Sequence, residues 1–198
     1  MKLFWIALSP YARKVLIVAR EHRLIEQIEV VPTKVTPANP ELMQHNPLNK
    51  VPTLLLDDGS ALYDSAVICE YLDAIGSGPK LFPSSGEARW SALRRHALGS
   101  GLSDLFIAWR TDLVLPTEKH VQERFDKYAL KAASIIERLE QELANRSEFD
   151  IGDIAIGCAL AYQRLRFPEL TTPDNSVVSR WYAQFDARPS VAATRVEV

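Results

Sequence analysis

Short hydrophobic runs and helical patterns alternate over the first third of the chain. Residues 3–7 and 28–31 are runs of aromatic and β-branched side chains, and the stretch between them repeats apolar positions every three or four residues, as a helix does. This order predicts a βαβ unit with parallel strands and a right-handed crossover. Residues 53–56 and 61–63 are two further β-prone runs, separated by the turn sequence DDGS, which predicts an antiparallel hairpin.

A capped helix is predicted directly after the hairpin. Asp64 and Ser65 supply side chains that can cap a helix N-terminus, and residues 66–72 continue with apolar positions at helical spacing. The link at residues 32–50 is rich in proline and is expected to be mostly irregular, with one or two helical turns near 41–44. The complete order, βαβ followed by ββα, is that of a thioredoxin-like domain with a four-stranded mixed sheet and helices on both faces.

The composition changes after this first domain. Glycine, serine and proline are concentrated at residues 76–79 and 83–86, as they are in linkers between domains. Beyond this linker the hydrophobic pattern is helical. The sequence therefore predicts a thioredoxin-like α/β domain at residues 1–78 and an all-helical domain at residues 87–198.

Four segments of the second domain predict helices. The first, residues 87–115, fits either one helix or a pair of helices broken at Gly99 and Gly101. Residues 116–145 follow the 3.6-residue period of an amphipathic helix, and residues 177–187 are also amphipathic. Residues 150–165 are apolar on nearly all sides, which predicts the buried central helix of this domain. Asp150 and Asp153 have the spacing of a capping box, so we assign them to folding and not to chemistry.

Charge and hydropathy narrow the classes of partner. The chain has 198 residues, of which 47% are hydrophobic and 24% charged, as in ordinary globular proteins. A formal net charge of −2 offers no electrostatic basis for binding nucleic acid or an anionic membrane surface. The apolar stretch near the N-terminus is too short to span a bilayer and has no cleavage pattern, so we expect a cytoplasmic protein that binds small molecules or proteins.

Cysteine and histidine spacing argues against disulfide and metal chemistry. Cys69 and Cys158 lie far apart within apolar helical patterns, which predicts two buried free thiols. The four histidines are not paired at helical spacing and have no acidic partner at metal-site spacing. No bound metal is therefore expected.

Ser9 is the leading candidate for chemistry. It follows the first strand and precedes a helix, so its hydroxyl, nearby backbone N–H groups and the helix dipole converge on one place, where an anion such as a thiolate is stabilised. A plain helix N-cap is the simpler alternative, and Tyr11 is a second candidate hydroxyl. Asp64 and Ser65 also have two interpretations, as caps of the next helix or as a charged and polar pair for a ligand.

Two motifs resemble those of the cytosolic glutathione transferase family. The turn NPLNKVP at residues 46–52, followed by a strand, DDG, a second strand and an acidic residue before serine, resembles the glutathione-binding half of that family. The sequence SPYARKV at residues 9–15 resembles the opening of many bacterial glutathione transferases. The resemblance extends over nearly the whole chain.

The resemblance implies a set of glutathione contacts. The Val51-Pro52 peptide is expected to be cis, with the backbone of Val51 bound to the cysteinyl part of glutathione. Asp64 and Ser65 are expected to hold the γ-glutamyl end. Ser9 is then expected to face the sulfur atom.

Further site residues follow from the same resemblance. Lys50, and less directly Lys34, are expected to pair with the glycyl carboxylate of glutathione, while Asn49 occupies a turn position where the family more often has glycine or a polar residue. The electrophile pocket is expected around helical residues 102–115. Its candidate residues are Tyr11, Asp104 and Trp109.

The implied function is that of a homodimeric glutathione S-transferase that acts in detoxification. Glutathione is the co-substrate, and its thiolate attacks a hydrophobic electrophile without a covalent enzyme intermediate. A glutathione-dependent reductase or isomerase on the same scaffold is an alternative, which Ser9 disfavours because such enzymes commonly have cysteine there. A non-catalytic binding module is a second alternative, and it would not need Ser9, Val51-Pro52 and Asp64-Ser65 together.

Overall fold

The structure is a computed structural model that describes residues 1–196. The chain folds into two compact units. The first unit comprises Met1–Trp90 together with a segment that begins at Pro189, and the second unit is Ser91–Arg188. The predicted combination of an α/β part and a helical part is confirmed. The domain limits 1–78 and 87–198 stay a prediction.

Four strands form the sheet of the first unit: β1 Lys2–Trp5, β2 Glu29–Pro32, β3 Thr53–Leu55 and β4 Ala61–Leu62. Their order is β2-β1-β3-β4. Strand β1 is parallel to β2 and antiparallel to β3, and β3 is antiparallel to β4, so the sheet is mixed as predicted. The strand limits differ from the hydrophobic runs by one or two residues, because hydrophobic residues such as Ile6 and Ala7 already lie outside the ladder.

Three helices accompany this sheet: α1 Pro10–Glu21, α2 Pro40–His45 and α3 Ser65–Ile75. Helices α1 and α3 pack against each other. Leu3 and Phe4 point to opposite faces of β1 and both are buried, so both faces of the sheet are covered. On one face Phe4 stacks on His45 of α2, with 5.7 Å between the ring centroids.

The second unit is built from helices: α4 Gly86–Leu113, which begins just before it, α5 Gln122–Leu143, α6 Ile151–Arg166 and α7 Val177–Asp186. Helix α6 is buried over most of its length, as its apolar composition predicts. Helix α5 begins later than expected, because the chain first forms a 3-10 turn at Thr117–Lys119.

Helix α4 is continuous, which resolves the choice between one helix and two. Gly99 does not break it. A Cβ atom at Gly99 would lie 2.4 Å from the backbone nitrogen of Ile156 and 2.5 Å from the carbonyl carbon of Ala155. The missing side chain therefore allows α4 and α6 to approach closely, and the loss of helix propensity at glycine is offset by this packing.

The predicted capping box of α6 is confirmed. The Asp150 carboxylate accepts hydrogen bonds from the backbone N–H groups of Gly152 and Asp153, and the Asp153 carboxylate accepts one from the N–H of Asp150 at 2.8 Å. Both carboxylates are buried and also accept hydrogen bonds from Arg146. The box thus begins α6 and joins it to a buried charge cluster.

The chain returns to the first unit through a short helix that hydrophobic periodicity did not indicate, α8 Pro189–Ala192. Arg13 of α1 holds this segment. Its Nε donates to the Thr194 hydroxyl at 3.1 Å and its Nη2 to the Val191 carbonyl at 3.3 Å. Arg13, Val191 and Thr194 are all buried.

Candidate functional site

The strand directions bring three sequence motifs to one end of the sheet. Strand β1 is antiparallel to β3, and β3 is antiparallel to β4. The end of β1, the start of β3 and the end of β4 therefore lie at the same end of the sheet. Strand β1 leads to Ser9, Val51-Pro52 precedes β3, and β4 leads to Asp64-Ser65. The three predicted segments are therefore neighbours in the fold.

Ser9 caps α1 through its side-chain oxygen, and the cap does not use the proton of its hydroxyl group. Its backbone is extended, with φ −80° and ψ 118°, and its Oγ accepts a hydrogen bond from the N–H of Ala12 at 3.2 Å. A hydroxyl oxygen that accepts such a bond still has its own proton to donate. The first turn of α1 contains no acidic residue, so nothing there neutralises the positive end of the helix dipole.

The Val51-Pro52 peptide is cis, as the resemblance implies. Among residues 1–196, neither the N–H nor the C=O of Val51 has a hydrogen-bond partner, so both are available to the backbone of a peptide ligand. Asn46, which is fully buried, supports this turn. Its Nδ2 donates to the Lys50 carbonyl at 3.1 Å and to the Thr53 hydroxyl at 2.8 Å. Asn46 opens the NPLNKVP motif, but only the fold reveals this supporting role.

Asp64 and Ser65 form the N-terminus of α3. The Asp64 Oδ1 accepts a hydrogen bond from the N–H of Ala66 at 2.9 Å, so the capping interpretation holds for this residue. Its side chain is exposed, and the second carboxylate oxygen is not used by the cap. Ser65 is only 4% exposed, and within the described part of the chain its hydroxyl and N–H have no hydrogen-bond partner. Unsatisfied donors at a helix N-terminus suit an anion.

Two lysines and one asparagine complete the predicted contacts. The side chains of Lys34 and Lys50 are exposed, and neither forms an ion pair with another residue of the described chain. Asn49 has a left-handed backbone with φ 51°, which asparagine tolerates better than most other residues and which explains its place at a position suited to glycine. Its amide is used within the protein, because Oδ1 accepts from the N–H of Asn39 and Nδ2 donates to the Val35 carbonyl.

The three candidate residues of the electrophile pocket lie on two helices. Tyr11 is on α1 in the first unit, and Asp104 and Trp109 are on α4 in the second. Trp109 is 9% exposed and packs against Tyr128 and Phe167, with ring centroids 5.8 and 5.2 Å apart. Asp104 is exposed and lines an open groove of about 730 Å³ between α4 and α5. A shared pocket of these residues stays a prediction.

Cys69 and Cys158 are both buried, and neither forms a disulfide bond, as predicted. No cluster of three or more histidine, cysteine or acidic side chains suited to a metal ion occurs within residues 1–196. In the same range, none of the helices combines the length and the apolar character that crossing a bilayer requires.

Comparison with known proteins identifies several relatives. The family model for the glutathione S-transferase N-terminal domain matches residues 8–75. A glutathione transferase family member from Pseudomonas fluorescens Pf-5, solved with bound glutathione, is 38% identical, with 100% of this chain and 99% of that chain covered and a TM-score of 0.93. A glutathione S-transferase from Methylobacillus flagellatus KT, also with glutathione bound, is 34% identical over 99% of both chains, with a TM-score of 0.92. An uncharacterised GST-like protein of Escherichia coli K12, YibF, is 26% identical over 84% of this chain and 83% of its own length.

These likenesses concern the segments that form the candidate site. The family model spans Ser9, Val51-Pro52 and Asp64-Ser65. The Pseudomonas relative aligns over the full chain at 38% identity, which is more than two proteins need in order to share a fold. The chain belongs to the glutathione transferase family.

Proposed function

We propose that this protein binds glutathione at the first unit and activates its thiol for attack on an electrophilic small molecule. The observation that carries the proposal is the set of unused hydrogen-bonding groups at one end of the sheet, on Ser9, Val51 and Ser65. A tripeptide with a thiol, a backbone and charged ends matches these groups. The bound glutathione in two relatives supports the same ligand.

The two ends of glutathione meet groups of suitable charge. The γ-glutamyl carboxylate accepts hydrogen bonds from the N–H and hydroxyl of Ser65, and its amino group pairs with the carboxylate of Asp64. Val51 binds the cysteinyl backbone. The glycyl carboxylate pairs with Lys50 or Lys34, which have no ion-pair partner within the described residues.

Ser9 and the N-terminus of α1 stabilise the thiolate. Lowering the thiol pKa by about two units corresponds to about 2.7 kcal/mol of preferential stabilisation of the ionised form. The thiol proton leaves to solvent, and the sulfur lone pair forms the new carbon–sulfur bond of the conjugate while the electrophile loses its leaving group or takes up a proton. No bond to the protein is formed.

Cysteine burial favours this reaction over glutathione-dependent reduction through a protein thiol. Cys69 is fully buried and Cys158 is 2% exposed, so among residues 1–196 there is no accessible thiol to form a mixed disulfide. Ser9 occupies the position where such a thiol would be needed. A binding module without catalysis would leave the glutathione contacts intact, and thiol ionisation distinguishes it from an enzyme.

The proposal includes a homodimer. Exposed apolar side chains on α4 and α5 support it, since Trp90 is 69% and Leu130 is 73% exposed, and Leu130 lines the groove between these helices. We place the conjugation reaction in the cytoplasm, as a detoxification step that takes a hydrophobic electrophile.

Calorimetry with glutathione tests the binding site. Ser65→Ala is expected to weaken binding by about 1–3 kcal/mol, the cost of leaving a charged partner without its hydrogen bond. Ser60→Ala is the matched control, because the Ser60 hydroxyl bonds Asp58 within the hairpin turn. Equal affinity of the parent and Ser65→Ala for glutathione contradicts the proposed placement. A panel of electrophiles with glutathione then identifies the second substrate.

A further inference from the structure

The C-terminal segment, residues 189–194, lies against helix α1, which carries Ser9 at its N-terminus. The segment belongs to the same compact unit as α1, and its short helix α8 packs against α1. Hydrogen bonds join the two near both ends of α1, at Arg13 in the N-terminal half and at Glu21, the last residue of the helix. Arg13 and Glu21 are separated by about 12 Å along the helix axis.

Arg13 forms the attachment nearer to Ser9. Its Nε donates to the Thr194 hydroxyl at 3.1 Å and its Nη2 to the Val191 carbonyl at 3.3 Å, and the Thr194 hydroxyl donates to that same carbonyl at 2.8 Å. The three residues therefore form a closed triangle of hydrogen bonds, and all of them are buried. Because a buried polar group that leaves its partner loses free energy, each member of the triangle fixes the other two.

The backbone next to the triangle is bonded directly to Ser9. The N–H of Arg13 donates to the Ser9 carbonyl at 3.0 Å, and the N–H of Ala12 donates to the Ser9 hydroxyl oxygen at 3.2 Å. The side chain of Arg13 thus anchors the helical turn that holds the Ser9 hydroxyl. A hydroxyl that donates to a sulfur atom needs such support, since a misplacement of about 1 Å can cost a hundredfold in rate.

We propose that Arg13 and Thr194 are positioning residues for the glutathione thiolate. Through them, the C-terminal segment holds the first turn of α1 so that the Ser9 hydroxyl and the helix N-terminus are directed at the sulfur atom. This inference rests on the proposed function, and both residues act through Ser9 without touching the substrate. The attachment at Glu21, whose carboxylate accepts a hydrogen bond from the Ser190 hydroxyl, lies about three helical turns from Ser9.

Thr194→Val tests this role with little change of shape, because valine has the size of threonine but no hydroxyl. In the intact protein with glutathione bound, ultraviolet titration should show the thiol pKa raised by about half a unit or more, though by less than in Ser9→Ala. Calorimetry should give an unchanged affinity for glutathione. Thr194→Ser, which keeps the hydroxyl, should restore the pKa of the parent protein.

Ser190→Ala is the matched control. It removes a hydroxyl contact between the same segment and the same helix, but at the end of α1 remote from Ser9. It should leave the pKa of the bound thiol unchanged even if its melting temperature falls as far as that of Thr194→Val. Equal pKa shifts in the two variants overturn the positioning role, because general loosening of the segment would then explain both. An unchanged pKa in Thr194→Val overturns it as well.

Amide hydrogen exchange tests the same role in the free protein, without glutathione. Thr194→Val should speed exchange of the Ala12 N–H, whose acceptor is the Ser9 hydroxyl, by about threefold or more, and Ser190→Ala should not. An unchanged exchange rate in Thr194→Val overturns the inference.

The titrations also distinguish this inference from the function on which it rests. If Ser9→Ala raises the pKa of the bound thiol and Thr194→Val does not, only the positioning role fails. If the parent protein binds glutathione without lowering the thiol pKa, the proposed function fails and the positioning role fails with it.

Discussion

The Ser9 hydroxyl performs two separable tasks at the residue scale. Its oxygen accepts the hydrogen bond that caps α1, while its proton is free to be donated. The simple N-cap interpretation and the catalytic interpretation are therefore compatible, and the presence of the cap does not choose between them. The ionisation of bound glutathione does, because only the second task acts on the sulfur atom.

Ser9→Ala is expected to raise the pKa of the bound thiol by roughly one to two units, because the sulfur loses a hydrogen-bond donor. Turnover at neutral pH should then fall by about ten- to a hundredfold and recover in large part at higher pH. Ultraviolet titration of the bound thiolate measures the pKa directly, and Ser9→Thr, which keeps the hydroxyl, is the control.

Glutathione affinity should change little in Ser9→Ala, because the peptide is held mainly by its charged ends. The protein should also lose about 1 kcal/mol of stability with the cap. An unchanged titration curve would reduce Ser9 to a helix cap, and Tyr11 or a backbone group would have to activate the thiol.

At the scale of elements, the N-terminus of α6 depends on a buried charge cluster. Asp150 accepts hydrogen bonds from Arg95 and Arg146 as well as from the capped backbone. Burial opposes ionisation of Arg146, but Asp153 and Asp150 outweigh it and raise its pKa. Burial raises the pKa of Asp153, which Arg146 counteracts. Removing one member of the cluster would therefore leave a buried charge with fewer partners.

Asp150→Ala is expected to destabilise the protein by about 3–5 kcal/mol, since it leaves Arg95 without its buried carboxylate partner, takes one of two buried carboxylates from Arg146 and removes the cap. Urea unfolding measures the loss. Glu148→Ala is the control: Glu148 also contacts Arg146, but its side chain is 80% exposed, so we expect less than about 1 kcal/mol. Similar losses in the two variants would contradict the role of burial.

A second charge group predicts a pH effect between α4 and α5. Partial burial works against ionisation of Glu142, but Arg94 and Arg138 outweigh it and lower its pKa below the ordinary value of 4.5. The Glu142 Oε1 atom lies 2.5 Å from Arg94 Nη1 and 2.6 Å from Arg138 Nε. A lowered pKa in the folded state stabilises the protein above pH 4.5, and this contribution is lost as the pH falls through the folded value.

Glu142→Gln should therefore be less stable than the parent at neutral pH. The difference should not exceed about 1 kcal/mol, because the side chains of Arg94 and Arg138 are both exposed and solvent screens their charges. The difference should shrink steadily below pH 4.5. Thermal unfolding of both proteins over this range measures it. A difference that stays constant with pH would show that packing, and not charge, accounts for the effect.

On the scale of the whole molecule, the exposed apolar side chains of α4 and α5 predict self-association. Light scattering at micromolar concentration should give about twice the chain mass of 22.2 kDa. Leu130→Glu should weaken the dimer, because it places a charge in the groove, whereas Val114→Glu, at another exposed apolar position, should not. A monomeric parent protein would contradict the prediction.

Local sequence signals determined the order and type of nearly all elements. Alternating runs, the DDGS turn and the caps at Ser9, Asp64 and Asp150 act over a few residues, and their chemistry is the same in any fold. The motifs at residues 9–15 and 46–52 likewise indicated the family before any contact was known. Strand limits were less certain, because a hydrophobic residue next to a turn looks like a strand residue.

Contacts between distant residues were decided only by the tertiary structure. Gly99 looks like a helix breaker in sequence but admits the backbone of α6, and Asn46 looks like a turn residue but supports the turn before β3. The return of the chain to Arg13 has no local signal at all. Periodicity reports which face of an element is buried, but the partner of that face is set by how the whole chain packs.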